Sequence, residues 1–159
     1  MKKLLSNVFL GAFLLIGTAT IASEADTDPV VGTWKLNLAK STYAGIPPSK
    51  SQIRTYARSG RDITLKMKTV SAAGKETTTQ ATYKFDGKDY PSMGNPDFDS
   101  LSGTQIDTHT AEFTLKRAGK EVGKIRRAVS NDGRILTINY VITNADGIQT
   151  AALTVFDKQ

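Results

Sequence analysis

Arg126 and Arg127 stand side by side in the stretch Lys-Ile-Arg-Arg-Ala-Val-Ser, residues 124–130, whose composition otherwise reads as a β-strand. Successive side chains on a strand point to opposite faces. Arg127 is in phase with Ile125 and Val129, so it is the member expected to face an interior; a β-bulge would exchange it for Arg126. A guanidinium taken out of water must be hydrogen-bonded or paired. Its partner could be a ligand carboxylate, gripped bidentately, or a protein acid such as Glu112 or Asp107. A rim position in solvent is the third reading.

Other chemistry-bearing residues are fewer. Tyr56 lies between Arg54 and Arg58 on one strand face, which reads first as a solvated basic edge with a partly covered ring. A sharper reading is a basic portal that attracts an anionic amphiphile. The stretch Asp86 to Asp99 concentrates Asp86, Asp89, Asp97 and Asp99 with Tyr90. Calcium takes about six to eight oxygens, but Asp and Asn are also turn formers, so turns and a lid over a binding site are expected, and no metal. His109 is the sole histidine, within a turn. There are no cysteines, which removes disulfides, thiol nucleophiles and thiolate metal sites. No nucleophile elbow, zinc helix, P-loop or dinucleotide glycine pattern occurs. No catalytic group and no cofactor is therefore assigned; an acid–base enzyme would have Asp89, Tyr90 or His109 to draw on.

The elements that must position these residues are strands. Alternation and β-branched content place nine of them at 30–38, 51–58, 62–71, 76–85, 99–106, 110–117, 121–130, 134–143 and 148–157. Turn signals such as Asn-Asp-Gly-Arg (131–134) and Asn-Ala-Asp-Gly (144–147) make sequence neighbours antiparallel partners. Two longer connections interrupt the series, 39–50 with Gly45, Pro47 and Pro48, and 86–98 with Gly87, Pro91, Gly94 and Pro96. Tyr43, Asp89, Tyr90 and Met93 are their candidate lid residues. One strand face is apolar: Trp34, Leu36, Leu38; Ile63, Leu65, Met67; Ala81, Tyr83, Phe85; Ala111, Phe113, Leu115; Leu136, Ile138, Tyr140, Ile142; and Ala151, Leu153, Val155. Such a meander must close or pack on a second sheet. A closed antiparallel up-and-down barrel of about 8–10 strands removes the exposed edges; a β-sandwich is the alternative.

Gly32-x-Trp34 at the head of the first strand, within Val31-Gly32-Thr33-Trp34-Lys35-Leu36, resembles the calycins, the lipocalins and fatty-acid-binding proteins. The closing DGIQTAALTVFDK, 146–158, is similar to their final hairpin strand. The chain also resembles a group of bacterial exported lipocalin-like proteins of unassigned role, in GTWKLN-x-AKS, DGKDYP-x-x-GNP and VS-x-DG. The resemblance implies a barrel closed by Gly32 and Trp34, the ring covered by a basic residue such as Arg134 or Lys158. It also implies an interior arginine working with a tyrosine, here Arg127 with Tyr140. Leu65, Met67, Tyr83, Phe85, Phe113, Ile138 and Leu153 would line a cavity for a small lipophilic or anionic amphiphilic ligand. A filled barrel acting as an envelope interaction protein through its two long loops is the alternative.

The chain carries a formal charge of +6 over 159 residues, but no basic run exceeds two residues and no aromatic ladder flanks one, so nucleic acid is not an expected partner. Lys2 and Lys3, the apolar run Leu4 to Ile16 and the small residues through Ser23 have the layout of a secretory signal peptide. Residues 1–22 are read as that peptide, with cleavage after Ala22, Ser23 or Ala25, and 23–159 as one barrel domain with no integral membrane segment. A periplasmic or secreted location follows from that reading.

Overall fold

A computed structural model describes residues 28–159; the expected signal peptide lies outside the described residues. Ten strands follow in order: β1 Gly32–Ala44, β2 Ser51–Ser59, β3 Asp62–Val70, β4 Glu76–Tyr83, β5 Tyr90–Met93, β6 Ser100–Gln105, β7 Thr110–Arg117, β8 Lys120–Val129, β9 Ile135–Thr143 and β10 Gln149–Lys158. Each pairs antiparallel with its sequence neighbour, and β1 pairs with β10 to close the barrel. Every strand thereby has a paired neighbour on both sides, which is how a one-layer sheet avoids ending in an open edge strand.

The up-and-down path gives the barrel two unlike ends. One end holds the Asp28–Val30 entry, the β2–β3, β4–β5, β6–β7 and β8–β9 turns, and the last residues of β10. Trp34 is fully buried there, and its indole N–H donates to the Val30 carbonyl at 2.7 Å. Lys158 covers the ring, with its ammonium 5.0 Å from the ring centroid. Glycine is required at position 32: φ is +133°, and a Cβ there would lie 2.9 Å from Lys158 Cε. The expected closure by Gly32, Trp34 and a C-terminal base is thus present, with Lys158 rather than Arg134 in the role. Around Trp34, Val30, Ile63, Leu136 and Phe156 are buried with it.

Three differences from the sequence expectation have local causes. First, β1 does not stop before 39–50. It runs to Ala44 through an irregularity between Asn37 and Thr42, where the Ser41 hydroxyl donates to Asn37 O and accepts from Val155 N. The Gly45–Pro48 corner ends the strand later than the loss of alternation suggests, and Leu38 is left 44% exposed. Second, β5 lies inside the expected 86–98 loop. It is held by only two residue pairs on each side, so a four-residue segment containing Pro91 carries little strand signal.

Third, β10 faces the other way. Residues directly opposite in an antiparallel pair share a face, and Thr150, Ala152, Thr154 and Phe156 stand opposite Ile142, Tyr140, Ile138 and Leu136. The inward set is therefore the even one, and Leu153 points out, 38% exposed. The two inward threonines keep their hydroxyls satisfied by donating to Ile142 O and Ile138 O, so their burial costs little.

Candidate functional site

A cavity of about 220 Å³ occupies the barrel above the Trp34 end. Its deep wall includes Tyr56, Tyr83, Phe113 and Arg127; Leu65, Met67, Leu101, Leu115, Ile125, Ile138 and Ile142 make the apolar sides. It reaches the end formed by the β1–β2, β5–β6 and β9–β10 connections, through Ile46, Asn95, Asp97, Phe98 and Asn144.

Arg127 is 3% exposed and points inward, as its phase with Ile125 and Val129 requires. Its Nη1 donates across the lumen to the Tyr83 hydroxyl at 3.0 Å. The guanidinium carbon lies 5.5 Å from the Tyr56 ring centroid, 5.6 Å from that of Phe85 and 5.5 Å from that of Phe113. Three ring faces offer partial compensation for the charge, each about 0.5–2 kcal/mol. Nε remains buried without a hydrogen-bond partner. The aromatic cage depends on Gly103 of β6: a Cβ there would stand 2.9 Å from Phe113 Cε1 and 3.2 Å from Phe85 Cδ1.

Arg54 is the second interior guanidinium, 8% exposed. Its Nε donates to Gln52 Oε1 at 3.0 Å, Nη1 reaches the Tyr56 hydroxyl at 3.4 Å, and the group lies 5.0 Å from the Phe156 ring centroid. Tyr56 therefore touches both arginines, one through its hydroxyl and the other through its ring. The sequence reads Arg54, Tyr56 and Arg58 first as a solvated basic edge and more sharply as a basic portal; the structure turns Arg54 and Tyr56 into the lumen. Arg58, at the end of the strand, lies 3.8 Å from Asp28 and donates to Gly60 O. Alternating arginines on one face look solvated in sequence; only the Tyr56 between them carried an apolar signal.

Among the described residues, no carboxylate forms an ion pair with Arg54 or Arg127. Glu112, weighed as an interior partner, instead pairs with the outward Arg126, and Asp107 accepts the His109 and Thr110 amides of its own turn.

Tyr140 lines the cavity but is not the hydroxyl on Arg127. It stands opposite Ile125, whereas Arg127 stands opposite Ile138, which places Tyr140 nearer the loop end, in the field of Arg54, Tyr43 and Asp97. Burial is the first cause that raises the Tyr140 pKa above the usual phenol value. Tyr83 is raised further, again by burial first, with Arg127 opposing; both stay neutral donors.

Seven of the nine residues expected to line a cavity do so: Leu65, Met67, Tyr83, Phe113, Arg127, Ile138 and Tyr140. Phe85 stands behind them, edge-on to Tyr83 at 5.7 Å. Leu153 is on the outer face. The lid expectation is corrected more broadly. Asp89 makes a surface ion pair with Lys116, Tyr90 donates to Asp86, and Met93 is 65% exposed on the outer side of β5. Tyr43, near the loop end of β1, buries its hydroxyl without lining the cavity. The cover comes from the second half of the Asp-rich stretch. Asn95, Asp97 and Phe98 line the cavity there, tied to the β9–β10 turn by Ala145 N donating to Asp97 and by Arg117 donating to both Asp97 O and Asn144 O.

No protein-family model matches the sequence, and no curated protein matches it. Solved structures do. The zebrafish ileal bile acid-binding protein complexed with cholic acid is 10% identical, with 82% of this chain and 99% of that chain covered at a TM-score of 0.50. The M. tuberculosis protein Rv2717c is 14% identical, with 82% and 93% covered at a TM-score of 0.53. At these identities the likeness concerns the fold alone, a closed antiparallel up-and-down barrel, as the strand pattern implied.

Proposed function

We propose that this barrel binds a small amphiphilic anion, head inward, with Arg127 and Arg54 as its polar anchors. The observation that carries the reading is the pair of interior guanidinium groups with no carboxylate partner among the described residues. Buried charge without a counter-charge is expensive, and a bound anion relieves that cost. The apolar sides then cover the ligand's body. The bile acid-binding neighbour, complexed with cholic acid, supports interior binding by analogy of fold. A filled barrel that works only through its loops accords less well with about 220 Å³ of interior space.

The binding test is calorimetric titration of hexanoate into the wild type, Arg54→Gln and Arg127→Gln. Binding to the wild type with clear weakening in both variants supports the reading; equal behaviour of all three refutes it.

Export to the periplasm or medium is part of the same proposal, supported by Lys2, Lys3 and the apolar run that follows. N-terminal sequencing of the protein from its own cell should return a start between Ser23 and Asp26. An intact Met1 on a stably membrane-bound protein would overturn it.

A further inference from the structure

We infer that the head group held between Arg54 and Arg127 is doubly charged, a phosphomonoester on a short apolar body, rather than the single carboxylate of a long acyl chain. The inference rests on the proposed binding of an anion in this cavity and specifies its chemistry.

Charge balance is the first argument. Arg54 and Arg127 are one tyrosine apart, both in contact with Tyr56, and both line the same cavity. The acid on the lining, Asp97, sits at the loop end, where its Oδ1 accepts the Ala145 amide. On the other side, Asp28 accepts Val30 N and lies 3.8 Å from Arg58. A carboxylate would balance one of the two guanidinium charges and leave the other bare. A phosphomonoester, carrying about −1.5 to −2 at neutral pH, balances both.

The donors make the second argument. The Tyr83 oxygen accepts from Arg127, which leaves its own proton to give, and its raised pKa keeps that proton in place. Arg127 Nε and Ser92 Oγ are buried without partners, and Ser92 lines the cavity with them. With the Arg54 guanidinium, these donors exceed what two carboxylate oxygens can engage; a phosphate offers three strong acceptor oxygens.

Size is the third. About 220 Å³ falls below the roughly 300–1,000 Å³ of cavities that take drug-sized ligands. That admits a head group with a short chain or one ring beside Leu65, Met67, Leu115 and Ile142, and leaves out a long acyl chain.

Calorimetric titration with hexyl phosphate and hexyl sulfate at about pH 7.5 tests the charge directly, because the heads share a tetrahedral shape and differ by close to one charge. The phosphate should bind about tenfold tighter or more, and Arg54→Gln and Arg127→Gln should each collapse that preference. Equal affinities, or a tighter sulfate, overturn the doubly charged head while leaving anion binding intact. Dodecyl phosphate binding tighter than hexyl phosphate contradicts the short body. Should neither hexyl compound nor hexanoate bind the wild type, the anion reading falls and this inference with it. The wild-type comparison decides even if a variant fails to fold.

Discussion

Lys158 and Trp34 are register partners on β10 and β1, and the ammonium of the first stands 5.0 Å from the ring centroid of the second. The contact fastens the last strand to the first, at the seam where β1 and β10 close the barrel. Its two halves are unequal: Trp34 is fully buried and Lys158 exposed. Trp34→Ala should cost ~3–5 kcal/mol, as loss of a large core ring does. Lys158→Ala should cost about 0.5–1 kcal/mol, the range of an exposed cation–π contact. Urea unfolding of both variants checks the ratio; equal losses would mean that Trp34 is not the core of this end.

Gly103 should be intolerant of any side chain although it sits in an ordinary strand. A Cβ would press on Phe113 at 2.9 Å and Phe85 at 3.2 Å, the two rings that flank Arg127. Gly103→Ala should destabilise by about 1–3 kcal/mol, in the range of overpacking, and weaken anion binding by moving the cage. A variant as stable as the wild type would mean that the rings have room to retreat.

Arg126 and Arg127 should behave as opposites. Arg126 is outward and paired with Glu112 on the surface, so Arg126→Gln should change stability by no more than about 0.5 kcal/mol. Arg127→Gln removes a buried charge that forms no ion pair with a carboxylate among the described residues, so the unliganded protein should keep its melting temperature or gain. Thermal unfolding of both variants tests this; a large loss in Arg127→Gln alone would reveal a buried acid that depends on it.

Alkaline stability should fall from about pH 10 upward. Tyr83, Tyr43 and Tyr140 all have folded pKa values raised, by burial first. A raised folded value means that the unfolded state loses the proton first. The stabilisation is thus complete below the ordinary phenol pKa of about 10 and is lost as pH rises through the folded values. Ultraviolet titration of tyrosinate should show these residues ionising late, together with unfolding. Simultaneous ionisation of all five tyrosines near pH 10 with the fold intact would contradict the burial.

Much of the barrel was legible because its strands alternate cleanly and its hairpins carry Asn, Asp and Gly at the turns. Arg127 was legible for the same reason, since Ile125 and Val129 fix its phase. The misassigned faces of β10 and β2 share one cause: the inward face is in places the less apolar one. On β10 the interior takes Thr150, Ala152 and Thr154 while Leu153 faces solvent, because the threonine hydroxyls bond to main-chain carbonyls of β9. On β2 the interior takes Arg54 beside Tyr56, and a charged residue on a strand reads as solvated unless its partners are known. Tyr83 was seen as lining but not as the Arg127 partner, since the two belong to strands that meet only across the lumen.

The most direct measurement of the central claim is the Nε–H resonance of Arg127, followed by NMR as a short-chain anionic amphiphile such as hexanoate is added. This donor is buried and without a partner in the unliganded barrel, while Arg126 is on the surface. If the cavity takes the anion head inward, the Arg127 resonance shifts saturably, the Arg54 resonance moves with it, and that of Arg126 stays in place. A titration that moves Arg126 and other surface arginines while leaving Arg127 and Arg54 unchanged would contradict interior binding.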